Sequence, residues 1–439
     1  MQQNIINFLN RTFFVNFLLG LLPISFILGN LATNLNIVLI IFSALYIFIK
    51  NNYNFDIVFF DKLILLYFFY ILLIGVLKYA LSIQSEQNDQ IIIKSISYLR
   101  YLMFYFAIRF LISKNFINFK IFFYVCSLCV LFVSLDIIYQ FHFGKDIFGF
   151  EGTTRRQGGP FGYELIAGGY LQRFSFFLFF SFFTFNYFEK IPKKIKFFLF
   201  CFFSAVISFA LVLAGNRVPF VLFLLIIFLI FFFDKNKRIY FFSLAFIAIT
   251  TLIIVCSFNL EVRMHYLGFQ KKVISLLTPF SEDKIIKYKD ANNPTFDEKN
   301  YTIAYKGENY IFASSHVKEF YSGYKTWKSN KFFGGGIKTF RYNCPKVYHS
   351  CNAHPHNYYL EIFTDLGAIG FLLIVSFFIL ITYKSFLLRN PILAPFLFIF
   401  IGEIFPFRST GSFFTTFNAT FIFLLISIIV SMLVKKDLN

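Results

Sequence analysis

Two histidines and a scatter of arginines are the side chains best suited to chemistry. His354 and His356 stand in His354-Pro355-His356-Asn357, where a long polar segment gives way to an apolar run. Pro355 disfavours helix just before it, and apolar residues from Tyr359 onward recur at helical spacing. His356 is therefore expected at the mouth of a helix, with its imidazole at a water boundary. An imidazole titrates near neutral pH and can take a proton from a hydroxyl group. Arg155, Arg156, Arg217, Arg341 and Arg408 fall in polar breaks between apolar runs. The planar guanidinium fork grips phosphate oxygens, so one anionic ligand shared by several of them is one reading. Anchoring to lipid phosphates is the other. A zinc site built from His316, His349, His354 and His356 would also use these side chains. No carboxylate or thiolate sits at a spacing typical of zinc ligands, and no metal or cofactor is expected.

The elements that must position these groups are membrane helices. The chain has 439 residues, 58% hydrophobic and 14% charged, with mean hydropathy +0.68. A soluble domain carries about 25% charged residues. The expected class is an all-α polytopic membrane protein. Its net charge of +19 is spread over short breaks and one long loop. A nucleic-acid binder would concentrate that charge on one surface, so no nucleic-acid partner is expected. No small-residue cleavage site follows the first apolar run, which reads as a span. Cys126, Cys129, Cys201 and Cys256 lie in apolar runs as small packing residues.

Spans need about 20 apolar residues each. About twelve are expected, at roughly 12–29, 31–49, 62–81, 96–112, 117–140, 165–188, 197–214, 218–233, 239–258, 357–383, 391–407 and 413–434. With the N-terminus cytoplasmic, the inside breaks hold Lys50, Lys62, Lys114, Lys120, Lys190 to Lys196, Lys235 to Arg238, Lys384 and Arg389. The tail adds Lys435 and Lys436. That orientation satisfies the positive-inside rule at each of these breaks and puts both termini in the cytoplasm. The expected organisation is helices 1–9 over 1–258, a large periplasmic loop over 259–356 with short helices, and helices 10–12 over 357–439. All six histidines and the five arginines above then fall on or near the outer face.

Arg217 stands in Leu213-Ala214-Gly215-Asn216-Arg217-Val218-Pro219, read as a hairpin between two spans, with Gly215-Asn216 as turn residues and Pro219 in the next helix's first turn. At the bilayer centre an arginine would cost about 2.5–3.5 kcal/mol or more. Gly334-Gly335-Gly336 lacks the Lys-Ser/Thr of a phosphate loop and reads as a helix stop and turn. Glu403 is positioned to neutralise Arg408, the structural alternative to a ligand-facing arginine. Cys344 and Cys351 lie close in the long loop, and a disulfide is expected if that loop is periplasmic.

A His-Asn pair, nine further residues and then Gly-x-x-Gly, here His356-Asn357 to Gly367-Ala368-Ile369-Gly370, resembles the O-antigen ligase and O-antigen polymerase family. The Gly-Pro-Phe-Gly at 159–162, the arginine after Gly215-Asn216, and the order Trp327, glycine run, Phe340-Arg341, Cys344, Cys351, His354-Pro355-His356-Asn357 are similar too. Asn216 replaces the family's commoner serine, and His316 and Lys325 stand where many members carry an arginine before the tryptophan. The resemblance implies a glycosyltransferase of the bacterial inner membrane with its active site facing the periplasm. It would move an undecaprenyl-diphosphate-linked glycan onto the lipid A-core oligosaccharide among membrane lipids. His356 would be the general base and Arg217 the principal diphosphate ligand, both catalytic. Asn357, Arg156, His316, Arg341, Arg408 and His354 would bind substrate. A repeat-unit polymerase of the same family uses the same chemistry. From another class, a lipid-linked sugar transporter or flippase would place charges near the midplane and show repeated halves, which this sequence does not.

Overall fold

A computed structural model describes residues 2–81, 86–153, 155–185, 190–277, 315–348, 351–388, 390–408 and 411–437. Residues 278–314 of the long loop lie outside these residues, as does His349. The helices are α1 (Gln2–Leu28), α2 (Asn30–Lys50), α3 (Phe59–Leu81), α4 (Glu86–Ser113), α5 (Phe119–Phe143), α6 (Ala167–Thr184), α7 (Lys193–Leu213) and α8 (Arg217–Phe233). They continue as α9 (Arg238–Phe258), α10 (Leu260–Leu277), α11 (Ser315–Ser329), α12 (Phe340–Asn343), α13 (Tyr358–Leu388), α14 (Leu393–Glu403) and α15 (Thr416–Asp437). Short 3-10 helices at Gly159–Phe161, Lys235–Lys237 and Cys344–Lys346 accompany them, and the β-structure among the described residues is limited to isolated bridges.

The chain is an all-α polytopic membrane protein. Among the described residues, eight helices are long and apolar enough to cross a membrane, and shorter apolar helices cover 12–28, 217–233 and 393–403. Each apolar run read from sequence coincides with a helix, but two run shorter than expected. The run at 391–407 is helical only over Leu393–Glu403, and that at 165–188 only over Ala167–Thr184. α10 was not foreseen: it continues from α9 after Asn259 in what reads as polar loop.

α6 and α15 form the centre. α15 is buried along most of its length and packs on α4, α13 and α14, while α6 packs on α5, α7 and α8. Phenylalanine fills this core, with Phe26 against Phe174, Phe417 and Phe421. The same residue type also covers the outside, as at Phe13, Phe42, Phe246 and Phe258. So much exposed apolar surface fits a lipid environment.

The bundle's two ends differ in chemistry. Lys435 donates to the Asn115 side chain at 2.7 Å, and Asn16 donates to the Phe116 carbonyl at 2.9 Å. At the same end Lys114 lies over Tyr53, and Lys196 and Lys237 lie over Phe183. The opposite end gathers the α1–α2, α5–α6, α7–α8 and α14–α15 connections around one cavity. Lys114, Lys196, Lys237 and Lys435 lie at one end; Arg217, Arg408 and the loop that carries Arg155 and Arg156 lie at the other.

α13 is not one continuous helix. Gly367 has φ 67° and ψ −172°, which breaks it into an eight- or nine-residue stub and a longer apolar part. The groups freed by the break are satisfied by the segment after α11. Gly335 and Gly336 donate to the carbonyls of Thr364 and Asp365 at 3.0 and 2.8 Å, and Ala368 donates to the Lys331 carbonyl at 2.8 Å. Tyr70 donates to the Leu366 carbonyl at 2.9 Å. Irregular backbone at membrane depth persists only when protein groups satisfy it in this way. The glycine run is thus a turn, and its absent side chains allow contact: a Cβ on Gly334 would lie 2.5 Å from the Asp365 carbonyl.

Candidate functional site

His356 sits just before α13 with φ 50°, in the left-handed region uncommon for non-glycine residues. His354 holds it there: its Nδ1 accepts from the His356 backbone N–H at 3.2 Å, and the two rings lie 4.2 Å apart. Burial, then the neighbouring His356, push the His354 imidazole down to about 4. His354 is therefore neutral at pH 7 and acts as an acceptor. Across the rim, α11 presents Glu319, whose Oε1 is 3.7 Å from His356 Nε2. The Asn352 side chain donates to that same oxygen at 2.6 Å. A carboxylate facing an imidazole orients it and stabilises its charged form.

Asn357 is occupied by structure. Its Oδ1 accepts from the N–H groups of Tyr359 and Leu360 at 3.0 and 3.1 Å, capping α13. Its Nδ2 donates to the Pro406 carbonyl at 2.7 Å and reaches the Arg408 carbonyl at 3.5 Å. The residue beside His356 thereby clamps the α14–α15 turn that carries Arg408.

Arg408 folds inward. Its Nη1 donates to Glu403 Oε1 at 2.7 Å, and Glu403 is fully buried. The neutralisation of Arg408 by Glu403 considered from sequence is present, but the carboxylate has a second cation. Arg173, on α6, donates through Nε and Nη2 to the two Glu403 oxygens at 2.8 and 2.9 Å, and through Nη2 to Asn418 at 2.7 Å. Two guanidiniums on one carboxylate leave a net positive charge. Both arginines line a cavity of about 610 Å³.

The same cavity touches Asn216 and Pro219, which flank Arg217 at the α7–α8 turn. Gly215 has φ 66°, and a Cβ on it would lie 2.6 Å from the Arg155 carbonyl, so the turn and the α5–α6 loop pack backbone to backbone. Gln157 N–H donates to the Leu213 carbonyl at 3.1 Å. Asn216 accepts from the Gly168 N–H at 3.1 Å and donates to the Leu165 carbonyl at 2.8 Å, tying the turn to the start of α6. Arg217 is the first residue of α8 and donates to the His265 carbonyl at 3.3 Å. The His265 ring pairs with the Gly215 carbonyl at 2.9 Å. Burial lowers the His265 pKa and Arg217, Arg156 and Arg155 lower it further, against that carbonyl.

The remaining predicted residues lie elsewhere. Arg341 is exposed on α12, and Cys344 and Cys351 are bonded beside Phe340, Tyr348 and Tyr321. His316 is in the first turn of α11, and its side chain lies outside the described residues. Among the described residues no three His, Cys, Asp or Glu side chains form a metal cage. Sequence reasoning missed Glu319 and Arg173. Nothing local distinguishes Glu319 on its charged helix, but Arg173 is a cation inside a phenylalanine-rich span, and such a residue has a reason to be there.

Curated proteins give no match to this chain. A family model described as O-antigen ligase matches residues 202–375, the stretch that holds Arg217, Glu319 and His356, and this match supports membership of the O-antigen ligase and polymerase family.

Proposed function

We propose that the chain is a ligase-type glycosyltransferase that moves a glycan from an undecaprenyl diphosphate to the lipid A-core oligosaccharide at the periplasmic face of the inner membrane. The family match supports an enzyme acting on lipid-linked glycans. The orientation rests on the lysine-rich end being cytoplasmic. His356 takes the proton of the acceptor hydroxyl as its oxygen attacks the anomeric carbon, with Glu319 orienting the ring. The bond from that carbon to the diphosphate oxygen breaks, and Arg217 and Arg408 stabilise the departing diphosphate. Fixed guanidiniums supply this stabilisation without asking for a metal ion. Arg156 supports Arg217 from the adjoining loop; His316 and Arg341 contact the glycan from the outer segment; Asn357 and His354 hold His356 in place.

The observation that carries this reading is the clamp at Asn357. One side chain caps the helix behind the candidate base and holds the turn of a cavity-lining arginine. The test is complementation of ligase-deficient and polymerase-deficient hosts, read as lipopolysaccharide chain length. Smooth lipopolysaccharide should return in the ligase-deficient host and vanish with His356→Ala at equal membrane levels. Rescue of the polymerase-deficient host alone would assign polymerisation instead. Arg217→Lys should impair transfer, because the bidentate geometry is lost.

A further inference from the structure

A structural ion pair for Glu403 needs one arginine, and this one has two. Arg173 lies on α6 at the centre of the bundle, with its side chain 5% exposed. An arginine in a membrane helix is costly and tends to have a functional reason to be there. Arg408 alone would neutralise Glu403 across the 2.7 Å contact. The second guanidinium leaves an excess cation in a cavity wall, and its posture is rigid. Nε and Nη2 are fixed by Glu403 and Asn418, and the ring faces of Phe417 and Phe421 lie 4.6 and 5.3 Å from its Cζ. Nη1 makes no hydrogen bond among the described residues. The rest of the wall carries one carboxylate, Glu164, toward its exposed side and is otherwise mostly apolar, with Phe26, Ile27, Leu28 and Phe161. A ligand that matches such a wall has an anionic head joined to a hydrocarbon chain.

We propose that Arg173 is a donor-binding residue: with Arg408 it receives the diphosphate of a prenyl-linked donor, whose first isoprene units lie along the apolar wall. This deepens the glycosyl-transfer reading and rests on it. Glu403 and Asn418 then act as positioning residues that aim the guanidinium.

The test uses the full chain in detergent, with a short polyprenyl diphosphate, the matching monophosphate and inorganic pyrophosphate as probes. Arg173→Lys keeps the charge and loses the fork, and should weaken prenyl diphosphate binding about tenfold. The donor KM should rise by a similar factor while kcat stays within about twofold. Asn418→Ala leaves the ion pairs intact and should weaken binding about threefold; it carries the test if Arg173→Lys does not yield folded protein. Unchanged prenyl diphosphate affinity in the folded variants would overturn the proposal. Equal affinity for pyrophosphate and prenyl diphosphate would overturn the lipid headgroup as its source. His356→Ala should bind the donor normally with turnover cut about a hundredfold or more. Turnover by that variant near the full rate would sink the glycosyl-transfer reading while leaving the binding result legible.

Discussion

Replacing Glu319 with glutamine removes one charge and keeps the shape, including an oxygen to accept from Asn352. The distance from Glu319 Oε1 to His356 Nε2 is 3.7 Å. At that separation two unit charges attract by about 1 kcal/mol in water and about 4.5 kcal/mol at an effective dielectric of about 20. The side chains are 34% and 14% exposed, so solvent screens the pair and the lower figure governs. In the proposed mechanism His356 becomes positively charged as it takes the acceptor proton. Glu319 therefore stabilises the transition state by about 1 kcal/mol, and Glu319→Gln should lower kcat about five- to tenfold. Donor and acceptor KM should hold within about twofold, because the interaction strengthens only as charge develops. The assay is steady-state transfer at pH 7 with purified enzyme and lipid-linked donor. A double-mutant cycle removes the remaining ambiguity: in a His356→Ala background with residual activity, Glu319→Gln should have no further effect. A raised KM at unchanged kcat, or full additivity with His356→Ala, would refute the pairing.

Gly367→Ala should destabilise the protein by about 1–3 kcal/mol, since its backbone conformation is open almost only to glycine; loss of detergent-solubilised Tm measures it. The added methyl would also meet the Phe332 backbone, so faster proteolysis around 331–338 should accompany the loss. His354, pushed down to about 4 when folded, takes its proton later than the unfolded segment, which does so near 6.5. The fold around it is therefore fully supported above pH 6.5 and weakens as pH falls toward 4, and the protection factors of the 354–360 amides, corrected for intrinsic exchange, should fall over that window but hold constant from pH 7 to 9. Replacing both Cys344 and Cys351 with serine should cost at most about 2.5 kcal/mol of local stability for so short a loop, read as exchange of the Phe340 to Tyr348 segment.

The helices were legible because apolar runs of membrane length leave few alternatives, and lysine placement sorted their ends. What periodicity could not show was the interruption at Gly367. Apolar residues continue on both sides of it, and a backbone break changes no hydropathy. The Gly334-Gly335-Gly336 run read as a turn, which it is, but its partner lies about thirty residues away across a helix. The short α14 follows from Glu403 and Pro406. The first is drawn into an ion pair, and the second begins the turn toward Arg408.

At the site, residue type announced His356 and the arginines, while neighbourhood decided their work. Asn357 looked like a ligand group because it follows His356, yet all its polar capacity goes to backbone. That use explains why such a pair is adjacent. A histidine in a left-handed conformation at a helix mouth needs a cap on one side and an acceptor on the other, which Asn357 and His354 provide. The stub from Tyr358 to Leu366 is then pinned at its far end by the glycine run and at its middle by Glu361, which accepts from Ser412 and the Phe413 N–H at 2.5 and 2.6 Å. Ser412 and Arg408 belong to the same connection, and Ser412 also accepts from Asn418, the residue that holds Arg173. Base, turn and buried cations are thus fixed to one short helix by charge-assisted and capping bonds. A shift of that stub would move His356 and Arg408 together relative to Arg217, so the spacing between base and cavity is set within this piece and not by the long spans that carry it.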